Sequence, residues 1–173
     1  MIFETERLLV RKLEVSDIEG FFELQSNPKI MQYATGNVQS REAIEFELKD
    51  LISKYSDSKN DFWIYAVALK TNNEFIGTVA FVKDGKDDEI GYRIIERCWG
   101  LGYGNEICGG MVCYAKARCI PKLVGYVVDV NKASAKILVN NGFTAVHKFV
   151  SDDINLPETK YVIILWKDHL LKK

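Results

Sequence analysis

The sequence predicts an α+β fold built as a single domain over residues 1–173. Three runs rich in β-branched and aromatic residues, at 62–69, 75–82 and 89–95, are separated by short polar turns and predict an antiparallel meander. A glycine-rich loop, a helical pattern and a further β-rich run at 123–130 follow, which predicts a right-handed parallel crossover. No repeat, low-complexity tract or linker divides the chain.

The N-terminal part predicts one strand and two helices. Residues 7–13 are a β-rich run. Ser16 and Glu19 have the spacing of a capping box, so a helix is predicted to begin there and to end before Pro28. Apolar residues at helical spacing predict a second helix over 40–55.

The C-terminal part predicts two more helices and the rest of the sheet. A helix is predicted over 103–119, although its Gly109-Gly110 pair costs about 1 kcal/mol per glycine relative to alanine. Close packing or a kink would each explain the pair. Asn131 is a predicted N-cap for a short helix that ends at Gly142. Two final strands are predicted at 143–150 and 160–166.

Composition favours a soluble enzyme or binding protein over several other classes. The net charge is −1, with 47% hydrophobic and 27% charged residues, so electrostatic binding to nucleic acid or membrane surfaces is not expected. No apolar run approaches the roughly 18–20 residues that span a bilayer, and the N-terminus lacks the features of a secretory signal. The expected location is therefore cytoplasmic.

The cysteines do not predict a metal site. The four residues form no C-x-x-C pair and lie far in sequence from both histidines. Neither a zinc site nor a disulfide framework is expected, and no metal is predicted. The cysteines are at positions 98, 108, 113 and 119.

The most informative segment runs from Ile90 to Glu106. A β-branched run leads into a loop with glycine at positions 100, 102 and 104, and the loop opens directly into a helix. Glycines allow backbone N–H groups to approach a ligand, and a helix N-terminus adds unpaired donors and a positive dipole end. The segment therefore predicts an anion site, most plausibly for a pyrophosphate. It lacks the Lys-Ser/Thr pair of a nucleotide-triphosphate loop and has Gly-x-Gly-x-Gly spacing, which argues against the rival reading as a nucleotide-binding α/β protein.

Three motifs resemble one known family. Arg97-x-x-Gly100-x-Gly102 resembles the Arg/Gln-x-x-Gly-x-Gly/Ala segment with which GNAT N-acetyltransferases bind acyl-CoA. The surrounding residues 90–106, and Thr-Glu-Arg-Leu at 5–8, resemble the RimJ/RimL branch in particular. Asn-x-x-Ser at 131–134, followed by Gly-Phe, is a further family element.

This resemblance implies a GNAT fold and an acetyl-CoA-dependent transferase. The implied fold is a mixed, mostly antiparallel sheet of about seven strands flanked by about four helices. The sheet is expected to open between the fourth strand, 89–95, and the fifth, 123–130, so that the thioester arm lies in the gap. The acetyl group would move from acetyl-CoA to a primary amine by direct attack in a ternary complex, with a backbone N–H near Ile94 holding the oxyanion.

The resemblance also assigns cofactor-binding residues. The backbone of the fourth strand is expected to pair with pantetheine, the glycine loop to bind pyrophosphate through its N–H groups, and two cations to lie near the phosphates. Arg97 and Lys136 are equally compatible with ordinary surface positions, and Asn131 needs no ligand to act as a helix cap. The assigned residues are Ile94, Ile95, Arg97, Gly100, Leu101, Gly102, Tyr103, Gly104, Asn105, Asn131 and Lys136.

The catalytic assignments are Ser134 and Glu89. Ser134 occupies the position where the family often has a hydroxyl near the thioester sulphur, whereas the usual proton-donating tyrosine is replaced by Val139. Glu89 is the best-placed carboxylate for a base and Asp88 is next, although both also fit a solvated turn. The missing acid leaves open a non-catalytic acyl-CoA-binding or sensor domain as the alternative function.

The acceptor is predicted only as a class. It is either a protein N-terminus, such as a ribosomal one, or a small-molecule amine, including an amine-bearing antibiotic. An α-amine with pKa about 8 needs about 1.4 kcal/mol to lose its proton at pH 7, whereas a lysine at about 10.4 needs about 5 kcal/mol, so a weak base favours the α-amine. Helices at 17–25 and 40–55 and the loop at 151–158 are expected to line the acceptor side. The sequence is compatible with a monomer or a homodimer.

Overall fold

An eight-stranded mixed sheet forms the centre of the structure, a computed structural model that describes residues 1–152 and 154–166. The strand order across the sheet is β1-β2-β3-β4-β5-β6-β8-β7. The strands are β1 (Phe3–Glu4), β2 (Leu8–Arg11), β3 (Phe62–Leu69), β4 (Phe75–Asp84), β5 (Asp87–Ile94), β6 (Lys122–Val128), β7 (Thr144–Val150) and β8 (Pro157–Ile164). The α+β class and the mostly antiparallel sheet are confirmed.

The one strand that the sequence pattern did not predict is β1. It has two residues and pairs with β2 through Phe3 opposite Val10 and Glu4 opposite Leu9. A two-residue strand is too short to produce an alternating pattern. The predicted fourth and fifth strands are therefore β5 and β6.

Five helices pack on the two faces of this sheet in the described residues. They are α1 (Ile18–Gln25), α2 (Pro28–Met31), α3 (Arg41–Ser53), α4 (Tyr103–Ala117) and α5 (Lys132–Asn140). Successive side chains of a strand point to opposite faces, and β5 shows which helix covers which face. Arg93 reaches Gln25 of α1 and Met31 of α2, whereas Tyr92 approaches Ser134 of α5.

The predicted capping box at Ser16 and Glu19 is wrong. The chain enters α1 through a short 3-10 turn at Val15–Asp17, where the backbone N–H of Glu14 donates to the Asp17 carboxylate over 2.8 Å. Arg11 holds the same carboxylate with two hydrogen bonds of 2.7 and 2.8 Å. Glu14 and Asp17 thus form the cap at the start of this region, and α1 itself begins only at Ile18.

The first helix ends before Pro28, as expected, and Asn27 then starts a new helix. Its side chain accepts a hydrogen bond from the backbone N–H of Lys29 over 2.9 Å, and Pro28 occupies the first position of α2. Proline is favoured there because the first helical N–H has no partner within the helix. This short helix lies against the cleft between β5 and β6.

Close packing explains the glycine pair in α4. A Cβ atom on Gly110 would lie 2.6 Å from the Thr5 side chain and 2.8 Å from the Phe3 ring, and one on Gly109 would lie 3.0 Å from the Asn141 side chain. The helix continues unbroken through both glycines. They allow α4 to lie directly on β1 and beside the end of α5.

Candidate active site

The predicted opening of the sheet lies between β5 and β6. These parallel strands pair only through Asp88 with Leu123 and Glu89 with Val124. Beyond that point the β5 edge from Ile90 to Ile94 has no partner strand in the described sheet and borders a cleft of about 1650 Å³. An open strand edge leaves N–H and C=O groups that need partners, so the cleft suits a ligand with an extended, hydrogen-bonding arm.

The glycine loop, residues Gly100 to Asn105, forms one end of this cleft. Gly100 and Gly102 have φ values of 75° and 85°, a left-handed conformation that favours glycine. Within the part of the chain that the structure describes, no N–H group from Gly100 to Asn105 donates to another backbone or side-chain group. The last three belong to the first turn of α4, where helical N–H groups have no internal partner. The loop can therefore bind an anion through its backbone.

A side-chain network from the N-terminus holds this loop in place. Glu106 accepts hydrogen bonds from the Thr5 hydroxyl (2.6 Å), the Arg7 backbone N–H (2.7 Å) and the Arg7 guanidinium (2.7 Å). Arg7 also donates to the carbonyl of Leu101 over 3.0 Å and lies 4.4 Å from the centre of the Tyr103 ring. Burial opposes ionisation of Glu106, but these hydrogen bonds outweigh it and lower the pKa of its carboxyl.

Sequence reasoning missed the role of Arg7. The signal was present, because Thr5 and Arg7 belong to the N-terminal motif and Glu106 closes the glycine segment. Nothing in the sequence shows that two motifs about one hundred residues apart bind each other. The structure joins them at the start of α4.

Arg97 is not brought into the cleft. Its guanidinium binds Glu23 over 3.1 Å and Glu74 over 2.6 Å, and it does not line the cleft. Burial lowers the pKa of Arg97, but the hydrogen bonds from these two carboxylates outweigh it and the net shift is upward. The arginine of the motif thus connects α1 and the loop before β4 instead of facing the phosphate region.

Two further assigned residues do not line the cleft. The N–H of Ile95 donates to the carbonyl of Ile76 over 2.9 Å, and Ile95 is fully buried outside the cleft. Leu101 is exposed, with its carbonyl bound to Arg7. Ile94 does line the cleft, and its carbonyl accepts the indole N–H of Trp99 over 2.7 Å.

The start of α5 forms the wall opposite β5. The Asn131 side chain caps the helix by accepting the Ser134 N–H over 3.1 Å, which leaves its own NH₂ group without a described partner. Lys136 is exposed, lines the cleft and forms no ion pair with a described residue. Val139 is 56% exposed and does not line the cleft, so position 139 is not where a tyrosine would reach a bound thioester.

Two hydroxyl groups meet across the cleft. The Tyr92 hydroxyl of β5 and the Ser134 hydroxyl of α5 lie 3.5 Å apart. Burial raises the pKa of Tyr92 to about 12, so the phenol stays protonated near neutral pH and can donate a proton. Of these two hydroxyl groups the sequence predicted only that of Ser134, because the residue opposite it depends on how α5 packs against β5.

Glu89 lies where β5 and β6 separate. It lines the cleft and is partly buried, and burial raises the pKa of its carboxyl, with the negative charges of Asp84 and Glu158 acting in the same direction. Lys160 opposes the shift but is itself bound to Asp84 over 3.3 Å. Asp88, the second candidate, pairs with Lys83 over 2.5 Å and does not line the cleft.

The other side of the cleft is lined differently from the expectation. No residue of the helices at 17–25 and 40–55 lines it, whereas α2 and the turn that follows it do contribute. Of the loop at 151–158, Ser151, Asp152, Ile154 and Glu158 line the cleft. The residues that line this side include Ile30, Tyr33, Ala34, Thr78, Ala80, Arg93, Asp152 and Ile154.

The described residues contain neither a membrane-spanning helix nor a cluster of metal-binding side chains. No helix among them is both long and apolar enough to cross a bilayer. No group of three or more histidine, cysteine, aspartate and glutamate side chains in residues 1–152 and 154–166 has the arrangement of a metal site.

Comparison with known proteins agrees with this geometry. The family model described as the acetyltransferase (GNAT) domain matches residues 7–144. The chain therefore belongs to the GNAT acetyltransferase family, and it is an acyltransferase. An uncharacterized N-acetyltransferase of Bacillus subtilis (strain 168), YoaA, is 29% identical over 147 residues, which is 82% of each chain.

Solved structures show the same fold at low identity. A GNAT-family acetyltransferase from Bacillus anthracis is 22% identical, with a TM-score of 0.82 over 94% of this chain and 98% of that chain. RimL, a ribosomal α-N-protein acetyltransferase in complex with coenzyme A, is 19% identical, with a TM-score of 0.77 over 92% and 95%. Spermidine N-acetyltransferase from Vibrio cholerae, in complex with CoA and spermine, is also 19% identical, with a TM-score of 0.77 over 91% and 95%.

Proposed function

We propose that the protein is an acetyl-CoA-dependent N-acetyltransferase of the RimJ/RimL-like branch that acetylates a primary amine. The observation that carries the proposal is the combination of two features. The glycine loop has six backbone N–H groups without a described partner, and five of these residues line the cleft that the unpaired edge of β5 borders. The first suits a pyrophosphate and the second an amide-containing arm. The relative solved with CoA and the RimL complex support this choice of cofactor.

The proposed CoA site uses backbone more than side chains. The N–H groups from Gly100 to Asn105 would bind the pyrophosphate, and Lys136 would add a positive charge at the cleft. The β5 edge ending at Ile94, together with the free NH₂ of Asn131, would bind the pantetheine amides. Arg97 and the N–H of Ile95 have no part in this arrangement, because both are bound elsewhere.

Acetyl-CoA supplies the activated acyl group, and the residues of the chain position the acceptor and move its protons. A backbone N–H near Ile94 would stabilise negative charge on the carbonyl oxygen. The paired hydroxyls of Tyr92 and Ser134 would deliver a proton to the departing thiolate. This pair supplies the acid that the sequence lacks at Val139, and so weakens the case for a non-catalytic sensor.

Glu89 is the proposed general base. Its raised pKa makes its carboxylate a stronger base than an ordinary surface glutamate, and no described cation is paired with it to reduce its basicity. Acting through a water molecule, it would remove a proton from the incoming ammonium group. A base of this strength suits an α-amine or a similarly acidic amine more than a lysine side chain.

The test is an assay for free thiol with acetyl-CoA and a panel of amines. The panel contains peptides with free N-termini, small primary amines and amine-bearing antibiotics, and mass spectrometry identifies the acetylated product. An enzyme releases thiol with at least one amine and forms an N-acetyl product in equal amount. Binding of CoA without thiol release from any amine would instead support the sensor function.

A further inference from the structure

Arg93 is a cation that the mechanism above does not use. It follows Tyr92 on β5, so its side chain points to the opposite face of the sheet, where it lines the cleft. One guanidinium nitrogen, Nη1, donates to the Gln25 side chain over 2.7 Å and contacts the Met31 sulphur at 3.5 Å. Within residues 1–152 and 154–166, Nε and Nη2 have no hydrogen-bond partner.

The positive charge of Arg93 is only indirectly balanced. Glu47 is the nearest opposing charge that acts on it, but the two do not form an ion pair. The Gln25 amide lies between them and donates to both Glu47 oxygens over 3.0 Å. Burial lowers the pKa of Arg93, and Glu47 acts in the opposite direction. An arginine with free donors and no contacting carboxylate is suited to bind one from a ligand.

Thr78 adds a second polar group beside this arginine. It is directly opposite Arg93 in the β4–β5 pairing, so the two side chains lie on the same face with Cβ atoms about 5 Å apart. Thr78 is 3% exposed, lines the cleft, and its hydroxyl has no described hydrogen-bond partner. An arginine and a hydroxyl side by side can bind the two oxygens of one carboxylate.

The floor between these groups and Glu89 is open and apolar. Ala80 is paired with Gly91 in the same register, and both line the cleft between Arg93 and Glu89. Because alanine has only a methyl group and glycine has no side chain, room is left for a substrate along this face. The apolar side chains of Ile30 and Ile154 and the ring of Tyr33 also line the cleft.

We infer that the acceptor is a small amino carboxylate, whose carboxylate binds Arg93 and Thr78 while its amine lies toward Glu89. This inference rests on the proposed function and names the substrate class for the same site. It separates this protein from an enzyme that selects polycationic amines, because a free guanidinium in the pocket repels a second positive charge.

The test compares matched acceptors and matched variants. Each amino acid in a panel is compared with the amine that lacks its carboxylate, in the wild type and in Arg93→Gln and Thr78→Val. The wild-type kcat/KM should be about tenfold to a hundredfold higher for the amino acid, because the plain amine cannot form the hydrogen bond between carboxylate and guanidinium. Arg93→Gln should lower the kcat/KM for the amino acid by a larger factor than the kcat/KM for the plain amine, so that the preference disappears. Thr78→Val, which keeps the side-chain shape, should reduce the preference in part.

Arg118→Gln is the matched control, because Arg118 is an exposed arginine at the end of α4 that does not line the cleft. The affinity of each variant for CoA shows whether the fold is intact. If Arg93→Gln lowers turnover of amino acids and plain amines equally, or if the wild type shows no preference for the carboxylate, the inference is wrong even though acetylation continues.

Calorimetry on the protein–CoA complex separates the two proposals, because it needs no turnover. Amino acids that bind in an Arg93-dependent way while no amine is acetylated would contradict the proposed catalysis and support the carboxylate site. Acetylation of plain amines with no binding of amino acids would contradict the carboxylate site and support the proposed catalysis.

Discussion

The two ends of the cleft are built in different ways. At the glycine loop the groups that face the ligand are backbone N–H donors, held in place by left-handed glycines and by the network of Thr5, Arg7 and Glu106. At the other end they are side chains of two paired strands, Glu89 and Arg93 on β5 and Thr78 on β4. A backbone site tolerates change in most side chains but not in the glycines. A side-chain site depends on each individual group, so substitutions distinguish the two ends.

The largest effect is expected at the side-chain end. Glu89→Gln should lower kcat by about a hundredfold to ten-thousandfold, the usual contribution of a general base, while CoA affinity changes little. Steady-state kinetics over a pH series measures this, and the wild-type rate should rise with pH through the raised pKa of Glu89. Asp88→Asn is the control, because its carboxylate is bound to Lys83 outside the cleft. Equal losses of kcat in both variants would show that Glu89 is not the general base.

The backbone end is tested at Gly102. Gly102→Ala should weaken CoA binding about tenfold to a hundredfold, because a Cβ atom is strained at its φ of 85° and would lie beside the Arg7 guanidinium. Gly85→Ala is matched to it: Gly85 also has a positive φ, of 60°, but nothing lies within 4 Å of its Cβ position. Calorimetric titration with CoA compares the two. A similar loss in both variants would mean that strain alone, and not the site, controls affinity.

A smaller effect separates two arginines. Arg7→Gln should weaken CoA binding by about threefold to tenfold, because it removes hydrogen bonds that hold the loop. Arg97→Gln should leave CoA affinity unchanged, since its guanidinium is bound to Glu23 and Glu74. Competitive binding against a fluorescent CoA analogue measures both. A larger loss for Arg97→Gln would restore the role that the sequence motif suggested.

The smallest effect concerns stability. The pKa of Glu89 is raised in the folded state, so the folded protein binds this proton more tightly than the unfolded chain. The stability that this group contributes is therefore present at low pH and is lost as the pH rises through the raised pKa. Glu89→Gln should gain in melting temperature over the wild type at pH 8, and this gain should shrink at pH 4. A gain that is independent of pH would show that desolvation of the carboxylate is not the cause.

The difference between the two ends also explains what the sequence could predict. The glycine loop and its helix follow from local patterns, because glycine spacing and helical periodicity determine the backbone directly. The opening beside β5 was expected only from the family resemblance. The assignments to Arg97 and Ile95 placed motif residues by proximity in sequence, but the structure binds their groups to Glu74 and Ile76.

The other side of the cleft could not be predicted in the same way. Arg93 and Thr78 meet because β4 and β5 pair in one particular register, and Tyr92 meets Ser134 because α5 packs where it does. Helix α2 depends on a four-residue capped turn, which leaves almost no periodic signal. These contacts arise from packing between distant segments, so they appear only in the folded structure.

The proposed function depends most on the glycine loop as the CoA site, and an amide NMR titration with CoA tests this directly. If the loop binds CoA, the largest shifts occur at the N–H groups from Gly100 to Asn105, with smaller shifts along β5 from Ile90 to Ile94. Shifts that avoid both segments, or saturable binding confined to another surface, would contradict it.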